Sequence, residues 1–279
     1  MKTILTVANE TLGGAELIQI IKEKASDGQA RLILCVPRTR PQHGNVVYDD
    51  AVYDAARVRV DLARAYLRQE GIEAIGEVGD PDPYSATMDA VAEHHPDEII
   101  ISTKPAATSG WLRRDLVERI GAASGLPVEH VVTDVDQDGL PYGVTLVVAN
   151  RTASGDDLLK SLKETATAAG DRQHLFVVVI PQEGGEGSAA SQARARLVQL
   201  VDRCRAAGLL AAGMIADPDP YTATMNATQF FRVDDIVIST LPATRSGWMR
   251  ADLIKRVAGA TGKPVTHIES QPAGLPTTA

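Results

Sequence analysis

One segment rich in hydroxyls and arginine is written twice in this chain. It runs as ISTKPAATSGWLRRDL from Ile101 to Leu116 and as ISTLPATRSGWMRADL from Ile238 to Leu253. Each copy offers what a small anion requires. In the first, the hydroxyls of Thr103, Thr108 and Ser109 and the backbone of Gly110 lie just ahead of Arg113. In the second, Thr240, Ser246 and Gly247 precede Arg250. A helix starting at Ser-Gly-Trp would aim unpaired N–H groups and a positive dipole end at a phosphate or sulfate. A structural reading stands beside this one: Ser109 or Gly110 begins the helix, Trp111 covers the core, and Arg113 and Asp115 brace the loop. Duplication would preserve either arrangement.

Other residues with chemical potential read more plainly. Asp80 to Tyr84 and Asp217 to Tyr221 both spell Asp-Pro-Asp-Pro-Tyr. The spacing predicts a turn and a helix start, with Asp82 and Asp219 as N-caps and Pro83 and Pro220 at the first helical position. No His or further carboxylate stands at the spacing that would make this a metal or acid–base site, so neither a catalytic residue nor a metal is expected. His130 and His267 match across the two copies and read as packed or edge imidazoles. His94 and His95 have no counterpart in the second copy and read as surface residues at a helix end. Cys35 and Cys204 fall in different halves, without neighbours at metal-ligand spacing, and read as buried free thiols. GGEG, from Gly184 to Gly187, lacks the Gly-Lys-Ser/Thr ending of a phosphate loop and reads as a flexible connection.

Composition narrows the classes. A formal net charge of −8 and a pI near 5.3 disfavour a nucleic-acid partner. No apolar stretch approaches the ~20 residues that span a bilayer, and the amino terminus reads as a first strand rather than a signal peptide. A cytoplasmic, reducing setting without membrane attachment is the expectation. With aromatics at only 4%, the cores must be built from Val, Ile, Leu and Ala, a palette suited to parallel sheets under helices.

The elements that position the repeated segment are themselves repeated. Gly76 to His130 aligns without a gap on Gly213 to His267, with about half the positions identical, and both Trp residues fall at the same place. TVANETLGG from Thr6 matches VVANRTASG from Val147, and each copy closes on Gly-Leu-Pro. The expected division is therefore 1–141 and 142–279, each a domain with its own core. In copy one, TILTVA, RLILCVP, IEAIGEV, EIIIST and PVEHVVT read as strands. Helices are expected around Glu16–Ala25, Asp49–Gln69, Tyr84–His94 and Trp111–Ala123, and copy two follows suit. Unbroken apolar strands imply cover on both faces. Alternating β and α then gives two tandem doubly wound, five-stranded parallel sheets of flavodoxin-like order 3-2-1-4-5. Ligands of such sheets bind beyond the carboxyl ends of strands one and four. This adds Asn9 and Thr11 to the candidates in the first copy, and Asn150 and Thr152 in the second.

Tandem α/β units of this length resemble the universal stress protein family. The resemblance rests on the loop after strand four that leads into a helix and on the closing Pro-Val strand. It covers both halves and implies an adenine nucleotide alpha hydrolase-like fold. Nucleotide-binding members carry Gly-x2-Gly-x9-Gly-Ser/Thr in that loop and an Asp ending strand one. Here the loops read Thr103-Lys104-Pro105-Ala106-Ala107-Thr108-Ser109-Gly110 and Thr240-Leu241-Pro242-Ala243-Thr244-Arg245-Ser246-Gly247, and strand one ends in Asn9 or Asn150. Pro105 and Pro242 also remove an amide donor. The resemblance implies a non-enzymatic stress-response or regulatory protein sensing a small anionic ligand, its halves pairing as an intramolecular pseudo-dimer, with a further homodimer open. The alternative is an adenine-nucleotide binder, for ATP or AMP, that uses a variant Ser-Gly-Trp-x-Arg loop. A nucleotidyl transferase would need a His-rich or Lys-Ser phosphate signature, which the sequence does not show.

Overall fold

In the structure, a computed structural model, residues 2–26, 28, 30–40, 49–105, 115–182, 188–242, 248 and 252–271 are described. The chain divides into two compact units, Met1–Arg40 with Ala55–Pro141 and Pro41–Asp54 with Tyr142–Ala279.

Five strands make the sheet of the first unit: β1 (Lys2–Val7), β2 (Ala30–Pro37), β3 (Ala74–Gly79), β4 (Glu98–Thr103) and β5 (Val128–Val132). All pair in parallel, in the order β3-β2-β1-β4-β5. Helices α1 (Ala15–Ala25), α2 (Asp49–Gln69), α3 (Pro83–His94) and α4 (Leu116–Ser124) fill the crossovers, and a single turn, α5 (Val135–Asp138), follows β5. The first residues of α2, Asp49 to Asp54, group with the second unit. The sheet of the second unit comprises β6 (Gly143–Val148), β7 (His174–Pro181), β8 (Leu210–Ala216), β9 (Asp235–Thr240) and β10 (Val265–Glu269), ordered β10-β9-β6-β7-β8. Its helices are α6 (Asp156–Ala168), α7 (Ser188–Ala206), α8 (Pro220–Phe230) and α9 (Leu253–Thr261). Counted within its own unit, this is the first unit's order read from the other edge. Both sheets are thus doubly wound and parallel, as expected.

Burial explains why these runs become strands. Leu5, Val7, Ile33, Cys35, Ile99 and Ile101 join Ala86, Ala90, Leu116 and Ile120 in one core cluster under α3 and α4. In the second unit, Val147, Phe176, Val178 and Val237 pack with Leu158, Leu162, Leu197 and Leu200 of α6 and α7. The expectation of cover on both faces holds for the central strands but not for β5. There Glu129 and His130 are exposed and Val132 is 48% exposed, because an edge strand has a neighbour on one side only.

Helix starts follow the local chemistry. Asp82 accepts from the Ser85 N–H at 3.0 Å and Asp219 from the Thr222 N–H at 2.8 Å, with proline at the first helical position in both. The Asp-Pro-Asp-Pro turns are therefore caps. The start expected at Trp111 lies outside the described residues; the described helix α4 begins at Leu116. Asp115 precedes it in the left-handed region at φ 50°, and Asp252 does the same at φ 51° in the second unit. Asp tolerates that conformation better than most non-glycine residues. The short α5 was not expected; Asp134 caps it by accepting from the Gln137 N–H at 3.1 Å.

Candidate ligand crevice at the carboxyl ends of the strands

The expected topology brings the loop after β1 beside the end of β4, and the corresponding β6 loop beside the end of β9. One hydroxyl fastens each junction. Thr11 Oγ1 donates to the Ser102 carbonyl at 3.1 Å, and Thr152 Oγ1 donates to the Ser239 carbonyl at 3.1 Å. Both threonines are buried, so these bonds hold the crevice in shape. Gly14 and Gly155 follow as N-caps of α1 and α6, each pressed against the residue after strand five.

Thr103 and Thr240, at the ends of β4 and β9, are also buried. Each pairs with the imidazole of its own strand five: Thr103 Oγ1 lies 2.9 Å from His130 Nε2, and Thr240 Oγ1 lies 2.8 Å from His267 Nε2. Thr240 also donates its hydroxyl proton to the Leu241 carbonyl at 2.9 Å, so His267 must donate from Nε2. Although His130 is exposed as a residue, partial desolvation of its imidazole beside Thr103 lowers its pKa from the ordinary value. These repeated histidines are edge residues, as read from the sequence, and their threonine partners are what that reading missed.

The two asparagines differ. Asn150 donates from Nδ2 to the Pro181 carbonyl at 3.1 Å, and its Oδ1 accepts from Arg196 Nη1 at 2.6 Å. Asn9 is 6% exposed, and among the described residues its Oδ1 has no hydrogen-bond partner. Neither Asn9 nor Asn150 bonds to the candidate threonines of its own crevice among the described residues. The remaining candidates, Thr108, Ser109, Gly110 and Arg113 in one copy and Ser246, Gly247 and Arg250 in the other, lie outside the described residues, as does Trp111.

Helix two of each unit carries an arginine that lies outside the repeated motifs. Arg196 of α7 reaches the strand-one asparagine, and Arg59 occupies the matching position on α2. Burial lowers the Arg59 guanidinium to about 10, while the Glu10 carboxylate opposes the shift. The available signal was Arg-x-Arg at 57–59 and 194–196, a fixed distance before the paired glycines Gly76 and Gly213.

Charge at the mouth of the first crevice is internal. Lys104 Nζ lies 2.5 Å from Glu10 and 3.5 Å from Asp136. Burial alone would lower the Lys104 pKa, but the hydrogen bond and field of Glu10, with Asp136, outweigh burial and raise it.

Away from the crevice, ligand atoms of Glu77, Glu93 and His94 lie within 4.8 Å of one another. His94 Nε2 is 2.8 Å from Glu77 Oε2 with its side chain 9% exposed, which corrects its reading as a surface residue. His95 is exposed, at the end of α3. In the second unit, Met214, Phe230 and Phe231 stand at the corresponding positions. Cys35 and Cys204 are free and buried, and burial raises both thiols, Cys204 to about 11. Among the described residues no helix is long and apolar enough to cross a membrane.

No protein-family model matches the chain, and no curated protein matches it. Solved structures do. A universal stress protein from Archaeoglobus fulgidus DSM 4304 is 13% identical, with 96% of each chain covered and a TM-score of 0.36. A protein from the universal stress protein family of Burkholderia pseudomallei is 17% identical over 47% of this chain and 95% of that one, with a TM-score of 0.36. A universal stress protein in complex with cAMP is 14% identical over 48% of this chain and 98% of that one, with a TM-score of 0.35.

Proposed function

We propose that this chain is a non-enzymatic regulatory protein of the stress-response kind. In this reading two universal-stress-protein-like domains, 1–141 and 142–279, sense a small phosphate-bearing anion. One observation carries it. In the second unit Arg196 of helix two bonds to Asn150 after strand one, next to Thr152 and to Thr240 at the end of strand four, and the first unit carries the same residue types in sequence. A planar guanidinium held beside Asn150 suits a phosphate better than an apolar ligand. The Thr–His pairs do not favour turnover, because the hydroxyls are buried and no third group orients either imidazole among the described residues.

Adenine nucleotide is the second reading, with ATP or AMP as the ligand. It is favoured by Arg196, which spends two of its five N–H donors on Asn150 and Gln192 and keeps three for a ligand among the described residues. Thermal unfolding with inorganic phosphate, AMP, ATP and cyclic AMP at millimolar concentration tests both readings. A ligand at a hundred times its Kd adds about 2.7 kcal/mol of stability. A shift with phosphate alone supports anion sensing, and a larger shift with a nucleotide supports the second reading. No shift with any of the four would remove both, and release of ADP or free phosphate from ATP would overturn the non-enzymatic assignment.

A further inference from the structure

The two crevices share a fold but differ in charge. In the first, the Glu10 carboxylate already sits on the Lys104 ammonium, which also faces Asp136. The second unit has Arg151 where Glu10 stands and Leu241 where Lys104 stands, and the stretch after β10, Gln271-Pro272-Ala273, carries no carboxylate. The asparagines follow the same division. Arg196 satisfies the Asn150 carbonyl oxygen, leaving a fixed guanidinium at the end of β6. The Asn9 oxygen is a buried acceptor without a donor among the described residues, and such a group attracts N–H or O–H rather than negative charge. We infer that only the second crevice takes the anion, and that the first is closed to it by its own carboxylate, Glu10 acting as a built-in occupant held by Lys104.

The inference rests on the anion-sensing reading. An incoming phosphate at the first crevice would have to displace Glu10 from Lys104 and then lie beside two carboxylates, whose repulsion opposes it. At the second crevice it meets Arg196, whose planar fork matches phosphate oxygens.

Calorimetric titration of the full chain with AMP, and in parallel with inorganic pyrophosphate, tests this. The expected stoichiometry is one anion per chain. Arg196→Ala should weaken binding at least tenfold, and Arg196→Lys, which keeps the charge but loses the fork, should weaken it by an intermediate factor should the alanine variant fold poorly. Glu10→Arg combined with Lys104→Leu, which copies the second crevice into the first, should raise the stoichiometry to two. Two equivalent sites in the unaltered chain would overturn the inference and leave the reading standing. So would a single site that survives Arg196→Ala but is lost in Arg59→Ala. Absence of binding in the unaltered chain overturns both.

Discussion

Gly155 leaves no room for a methyl group. A Cβ built there would lie 1.8 Å from Ser270 Oγ and 2.8 Å from the Gln271 carbonyl oxygen. The backbone at this N-cap is ordinary, at φ −69°, so the requirement is space rather than conformation. Gly155→Ala should lower stability by about 1–3 kcal/mol, read as a shift in the denaturation midpoint, and Ser270→Gly in the same chain should recover part of the loss. An unchanged midpoint would contradict the packing. A second residue, His174, sets an acid dependence. Its Nε2 lies 2.7 Å from Thr145 Oγ1, and its ring packs on Phe176 with centroids 5.1 Å apart. Burial holds its pKa below 6.5, against the opposing fields of Asp235 and Asp234. The unfolded chain therefore takes up this proton first. The stabilising contribution is complete above about pH 6.5 and is lost as pH falls through the lower, folded value. His174→Gln should flatten this acid limb in urea midpoints measured between about pH 7 and 5; a limb unchanged in that variant would assign it to other groups. Neither effect was legible in the sequence, because both the clash and the desolvation arise between segments distant in the chain.

The paired helices α3–α4 and α8–α9 repeat one contact that gives the tyrosine of Asp-Pro-Asp-Pro-Tyr a purpose. Arg119 lies over the Tyr84 ring at 4.4 Å from its centroid, and Arg256 lies over Tyr221 at 4.1 Å. These guanidiniums tie the helix that leaves the candidate loop to the helix capped by the aspartate turn. A double-mutant cycle with Arg256→Ala and Tyr221→Leu should return a coupling of about 0.5–1 kcal/mol, and zero coupling would show the contact to be incidental. Elements were the most legible level of this chain. β4 and β9 begin and end where their apolar runs do, α2 spans its expected residues, and the aspartate caps fall where the turn chemistry put them. What was misread was the cover of strand five: the expected order already put PVEHVVT at an edge, yet its apolar residues were read, like those of EIIIST, as covered on both faces.

Duplication governs the whole chain. The two sheets have the same strand order and the same Thr-to-strand-four clasp, yet Glu10 against Arg151 and Lys104 against Leu241 give the two crevices different electrostatics. An internal repeat preserves backbone determinants while leaving charges at loop positions free to diverge, so fold was readable from the repeat and ligand preference was not. Arg196 was missed for the same reason: it lies outside the best-matching segment and reaches Asn150 only through the fold. The direct test of the central claim is an electron-density map of a crystal grown with AMP. The account predicts phosphate density in the second unit, at the carboxyl ends of β6 and β9, against Arg196 and next to Asn150. Phosphate density in the first crevice with Glu10 still on Lys104, or density only at a surface remote from both, would contradict it.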